Sequence, residues 1–150
     1  MHRVTYTMHF RGQATSAGGD PKILKATSSA TSSTVTTIIS SAGLDTRVKP
    51  EDGQLVFFES EVRLTGPDSF EESGSITFGD DTDHLLRFST IGRGHLAPNL
   101  EPGVMAGTVC WKIEGGEGQF AGAQGFITST FLITESGDLN DYQSALIFLP

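Results

Sequence analysis

The chain has 150 residues, 37% of them hydrophobic, enough for one domain with its own core and too few for two comfortable ones. Its formal net charge of −8, with 10 Lys and Arg against 18 Asp and Glu, argues against a nucleic-acid partner or an anionic membrane surface, because both need clustered basic residues. A single Cys excludes an internal disulfide, no apolar run approaches the roughly 20 residues that span a bilayer, and MHRVTYTMHF lacks the apolar core of a signal peptide, so a cytoplasmic protein is expected.

Residues 4–10 alternate Val4, Tyr6, Met8 and Phe10 with Thr5, Thr7 and His9, the pattern of a strand with one buried face. Over 12–33 the chain turns small and polar, through SAGGDP and ATSSATSS. No helical apolar stripe crosses this tract, so a long polar loop or lid is expected. The β-rich runs STVTTIIS, QLVFFESEVRL, SFEESGSITF, HLLRFSTIGRGHL, VMAGTVCWKIE, FITSTFLIT and YQSALIFLP follow, which makes eight strands in all. The connectors 65–68, 79–83, 97–103 and 136–141 are short and carry Gly, Pro, Asn or Asp, as antiparallel neighbours require. Such a meander stacks as a sandwich or closes on itself. Closure removes exposed edges, and an all-β, eight-stranded antiparallel up-and-down barrel is the expected fold. Its lumen holds packed side chains or one small ligand.

Alternation then assigns faces. Val56, Phe58, Ser60, Val62 and Leu64 are expected inside, against Leu55, Phe57, Glu59, Glu61 and Arg63 outside. The next strand places Phe70, Glu72, Gly74, Ile76 and Phe78 on one wall, the following ones Leu86, Phe88 and Thr90, then Met105, Gly107, Val109, Trp111 and Ile113. The last two strands are apolar on both faces and their register stays open.

The stretch EGGEGQFAGAQGFITSTF is dense in glycine. It lacks the Lys-Ser or Lys-Thr of a phosphate loop, and a β-branched run follows it where such a loop needs a helix. A bulged hairpin at Gly115, Gly116 and Gly118, with a coiled strand entry at Gly122 and Gly125, is the remaining reading. The pattern Gly115, Gly116, Gly118, Phe120, Ala123 and Gly125 resembles the hairpin near the carboxyl end of dirigent proteins, which share a barrel with allene oxide cyclases; the strand layout is similar to that of small bacterial members of this superfamily. The resemblance implies an antiparallel barrel with a central apolar cavity, assembled as a homodimer or homotrimer, whose characterised members steer cyclisations or couplings without a metal or organic cofactor. No residue is carried over from the catalytic aspartates of dirigent proteins.

Glu72 is a lone carboxylate on an apolar wall. Facing inward, its desolvated carboxyl suits general acid or base chemistry; alternatively a bulge before Gly74 turns it outward beside Glu71, or it is a structural group paired with Arg87. Tyr6, Phe58, Phe88 and Trp111 are candidates for shaping a ligand pocket or for plain core, as are Phe131 and Tyr142. Ser60, Thr90 and Ser129 could donate to a substrate oxygen or simply fill the wall. The histidines His2, His9, His84 and His95 have no ligand spacing, so no metal is expected, and Asp80, Asp81 and Asp83 read as a solvated turn. Leu55, Phe57 and Ile91 on the outer wall suggest an oligomer contact. Two functions stay open: a cofactor-independent cyclase or isomerase of a small apolar substrate, and a lipocalin-like binder without chemistry. A barrel packed solid is the third possibility.

Overall fold

A computed structural model describes residues 1–80 and 83–150. The 79–83 connector includes Asp81 and Thr82, which lie outside the described residues. The described residues form nine strands in chain order: β1 (His2–Ser16), β2 (Ile23–Ser40), β3 (Gly43–Leu64), β4 (Ser69–Phe78), β5 (Leu85–Thr90), β6 (Gly94–Pro98), β7 (Val104–Glu117), β8 (Gln124–Thr134) and β9 (Asp138–Leu149). Every pairing is antiparallel, and β9 returns to β1 from His2↔Leu149 to Gln13↔Asp138, closing the ring. β5 and β6 occupy one position between β4 and β7. They are the two halves of the expected HLLRFSTIGRGHL strand, broken around Gly92 at φ 67°. The result is an eight-position up-and-down barrel. Among the described residues no helix is long and apolar enough to cross a membrane.

The expected loop or lid over 12–33 is not there. β1 runs to Ser16, β2 begins at Ile23, and a short turn joins them. Ala26, Ser28 and Ala30 point inward and are buried, alternating with exposed Lys25 and Thr27. Small residues are required here because Phe10 and Phe58, edge to face at 6.1 Å, span the lumen across β2. β1 also presses on β2 so closely that a Cβ on Gly12 would meet the Thr27 carbonyl oxygen at 1.9 Å. Alternation between Ala or Ser and Thr has almost no hydropathy contrast, so the period of two is invisible in the sequence. STVTTIIS is the outer half of β2: after an irregularity between Thr31 and Ser33, residues 33–40 pair with 43–50 as a two-stranded arm. Ile39 and Leu44 on this arm are 82% and 72% exposed.

The assigned faces of β3, β4 and β7 are as expected, with Val56, Phe58, Phe70, Ile76, Val109, Trp111 and Ile113 buried. β8 turns Ile127 and Ser129 inward and Phe126 and Leu132 outward; β9 turns Leu139, Asp141, Gln143, Ala145, Ile147 and Leu149 inward. The glycine hairpin bulges as its composition requires: the β5–β7 register slips between Arg87 and Phe88, and Gly118 adopts φ 60° where a Cβ would strike the Asp83 carbonyl oxygen. A 3-10 turn at Gly118–Phe120 then drops the Phe120 ring into the barrel end against Phe78, at 4.8 Å. Tyr6 meets Phe78 edge-on at 5.9 Å. This end of the barrel is plugged.

Candidate functional site

Toward the opposite end, where the β1–β2, β3–β4 and β8–β9 turns gather, the lumen keeps a cavity of about 70 Å³. Leu24, Val62, Leu64, Phe70, Leu96 and Leu139 make its walls apolar, with Phe131 and Ile133 half-buried beside them. Phe58 stacks on Trp111 at 5.5 Å to form a floor, and Phe88 supports both, 4.4 Å from Trp111 and 5.3 Å from Phe58. Gly107 leaves room for the Phe131 ring, since a Cβ there would meet ring carbons from 2.2 Å.

Two carboxyl groups face this apolar space. Glu72 follows the alternation of β4 inward and is 8% exposed. The Ser60 hydroxyl donates to its Oε1 at 2.5 Å. Burial pushes the Glu72 pKa up to about 8; the Ser60 hydrogen bond opposes this, the Asp141 charge adds to it, and the Trp111 indole opposes it again. The Trp111 N–H is itself buried and completes no hydrogen bond among the described residues, so it is a donor held in reserve near the carboxyl. Neither alternative for Glu72 holds: it does not turn outward, and Arg87 pairs with Glu117 on the outer surface.

Asp141 is the second carboxyl, and the sequence reading assigned it to the 136–141 connector. β9 in fact begins at Asp138, so Asp141 is a strand residue, 3% exposed and inward. Ser129 donates to its Oδ1 at 2.5 Å and Gln143 Nε2 to its Oδ2 at 2.8 Å. Burial raises its pKa to about 6 against the pull of those two hydrogen bonds. Extending the alternation of Ala145, Ile147 and Leu149 backward through Gln143 would have found it. The two Ser–carboxylate pairs are built alike: Ser60 is opposite Gly74 and reaches Glu72 two residues earlier, and Ser129 is opposite Gln143 and reaches Asp141 two residues earlier.

Of the residues singled out by sequence, Phe58, Glu72, Trp111, Ser129 and Phe131 line the cavity. Ser60 touches it through Glu72, and Phe88 lies beneath its floor. Thr90 is spoken for by main chain: it accepts from the Glu72 N–H at 2.7 Å and donates to the Glu72 carbonyl oxygen at 2.8 Å, and so is not placed to bind a ligand. Tyr6 belongs to the plugged end, where burial pushes its phenol pKa up and its hydroxyl finds no partner among the described residues. Tyr142 is on the outer surface, 48% exposed and stacked on His9 at 4.2 Å, because the parity that brings Asp141 and Gln143 in carries it out. Among the described residues no group of three or more His, Cys, Asp or Glu side chains is arranged to hold a metal ion.

No protein-family model and no curated protein matches the chain. Among solved structures it is similar to a pterocarpan synthase dirigent protein, with a TM-score of 0.52 at 16% identity over 99% of this chain and 87% of that one. The chain has the dirigent-like barrel fold.

Proposed function

We propose that the cavity takes a small, neutral, mostly apolar molecule carrying a carbonyl, epoxide or hydroxyl oxygen, and rearranges it by proton transfer as a cofactor-independent cyclase or isomerase. The observation that carries this reading is the pair of buried, inward carboxyls that share one apolar cavity, each held by a Ser hydroxyl; burial raises both pKa values, Glu72 to about 8 and Asp141 to about 6. Near neutral pH one is an acid and the other a carboxylate, the division of labour that acid–base catalysis needs. Glu72 gives its proton to the substrate oxygen; Asp141, whose oxygens each keep a lone pair beyond the Ser129 and Gln143 hydrogen bonds, takes one from elsewhere on the same molecule. The C–H electron pair released at that second position forms the new bond while the carbonyl π bond or epoxide C–O bond breaks onto the protonated oxygen, so atoms and electrons balance without an oxidant or reductant, and the two carboxyls exchange protons to reset. The aromatic floor and apolar walls restrict the conformers that reach it. The likeness to a barrel named for pterocarpan synthesis is compatible with such a substrate-binding or steering role.

The size of the cavity limits the substrate. Pockets for drug-sized ligands run from about 300 Å³ upward, so the molecule is smaller than that class or displaces Phe131 and Ile133 at the mouth. The test is incubation with a panel of small enones, epoxides and phenols, followed by product analysis for the wild type, Glu72→Gln and Asp141→Asn. Retained binding with lost turnover in both variants supports the reading. A ligand bound equally by all three with no product from any of them supports the second reading, a lipocalin-like binder, which the almost wholly apolar lining favours.

A homodimer or homotrimer belongs to the same proposal. Phe57, Phe126, Leu132, Tyr142 and Leu146 are exposed on the outer wall, along with Ile38, Ile39 and Leu44 on the arm. Native mass spectrometry should show multiples of 16.0 kDa; a species of the single-chain mass alone would count against it.

A further inference from the structure

We infer that Thr90 is a positioning residue, whose hydroxyl closes the barrel wall beside Glu72 and keeps that carboxyl turned to the inner cavity. The wall has a seam at this point. β4 pairs with β5 as far as Ser73↔Ser89 and with β6 from Phe70↔Gly94, so Glu71 and Glu72 face the break between those two strands. The chain at Thr90 stays with β7, opposite Trp111, and the next N–H, of Ile91, donates to the Cys110 carbonyl at 2.9 Å. Among the described residues no main chain pairs with the N–H and C=O of Glu72 on this side. One side-chain hydroxyl takes up both, at 2.7 and 2.8 Å, which satisfies two groups that would otherwise be costly to bury.

The seam matters because of what lies on its outer side. A surface cleft of about 350 Å³ runs over it, lined by Glu61, Arg63, Glu71, Ser73, Ser89 and Gly92 together with Glu72 and Thr90. Glu72 borders both this cleft and the inner cavity, so the wall there is a single residue thick. Opening the seam would let water reach the Glu72 carboxyl from the cleft and remove the desolvation that keeps it protonated. Thr90 thus acts on the proposed acid through its main chain, without touching a ligand.

The inference rests on the reading of Glu72 as an acid only for its effect on turnover; its structural content is tested in the ligand-free protein. The readouts are the titration of the Glu72 carboxyl by carbon NMR and hydrogen exchange of the Glu72 amide. Thr90→Val, which keeps the shape and loses the hydroxyl, should lower the Glu72 midpoint by about one pH unit or more, a roughly tenfold change in acid strength, and speed exchange of its amide. Thr90→Ser should restore both. Thr128→Val, which loses a comparable hydrogen bond to the Ser144 carbonyl on the outer wall, should change neither. A folded Thr90→Val with the wild-type midpoint overturns the inference. If that variant does not fold, the wild-type amide decides: protection matching that of the paired core strands supports the stitch, and exchange as fast as at exposed strand ends overturns it. The shifted midpoint and faster exchange of Thr90→Val, found in a protein without turnover, would defeat the proposed function and leave this role standing.

Discussion

Replacing Glu72 by Gln should change how stability depends on pH, and the size of the change follows from the site. An unfolded Glu releases its proton near 4.5 and folded Glu72 near 8. Between those values the unfolded chain binds fewer protons than the folded one, so the unfolding free energy falls by up to about 1.36 kcal/mol per pH unit as pH rises. Below the unfolded value there is no penalty, and above the folded one it is complete, at roughly 5 kcal/mol. That is a large part of the 5–15 kcal/mol that holds a typical domain together, by about a third or more. Gln matches Glu in shape, stays neutral and still accepts from the Ser60 hydroxyl. At about pH 5 the variant should therefore equal the wild type or fall slightly below it, and at about pH 9 exceed it by several kcal/mol. Urea unfolding followed by the fluorescence of Trp111, the one Trp in the chain, measures both across that range. Stability curves that run parallel for the two proteins would refute the buried, neutral Glu72 described here.

Other substitutions probe the cavity, the plug and the outer wall. Gly107→Ala places a methyl 2.2 Å from the Phe131 ring, so it should drive that ring from its place, cost about 1–3 kcal/mol and weaken ligand binding in a Trp111 fluorescence titration. Phe120→Ala removes the stopper beside Phe78 and should cost roughly 3–5 kcal/mol in urea unfolding; a loss well under that range would mean that the end is closed without it. Tyr142→Ala removes the outer stack on His9 and part of the proposed oligomer face, so within the chain it should cost no more than about 1.5 kcal/mol and leave ligand affinity unchanged.

The architecture was legible wherever inward and outward residues differ in hydropathy. Val56, Phe58 and Val62 against Glu59, Glu61 and Arg63 fix the face of β3 and, through it, the inward direction of Glu72. The signal failed in two ways. In the first half of β2 both faces are made of Ala, Ser and Thr, since Phe10 and Phe58 leave space for nothing larger, and an alternation of small residues reads as a loop. In β9 the inward face carries the polar Asp141 and Gln143 ahead of Ala145, Ile147 and Leu149, and Asp141, which belongs to the lumen, looked like the end of the turn. Tyr142 was misplaced for another reason: the last strand is apolar on both faces, so nothing in the sequence set its parity, and the observed parity carries Tyr142 outward. Thr90 was visible as an inward hydroxyl, but the seam that occupies it arises where β5 and β6 break apart, and only the three-dimensional pairing shows that.

The proposed function requires an apolar cavity over Trp111 that holds neutral oxygen-bearing molecules beside a charged Asp141. The most direct measurement is a Trp111 fluorescence titration near neutral pH with a matched pair of small ligands, a cyclic enone or phenol and its carboxylate analogue. Saturable quenching by the neutral member and none by the anion is the predicted result. Flat titrations with both, or preference for the anion, would contradict it.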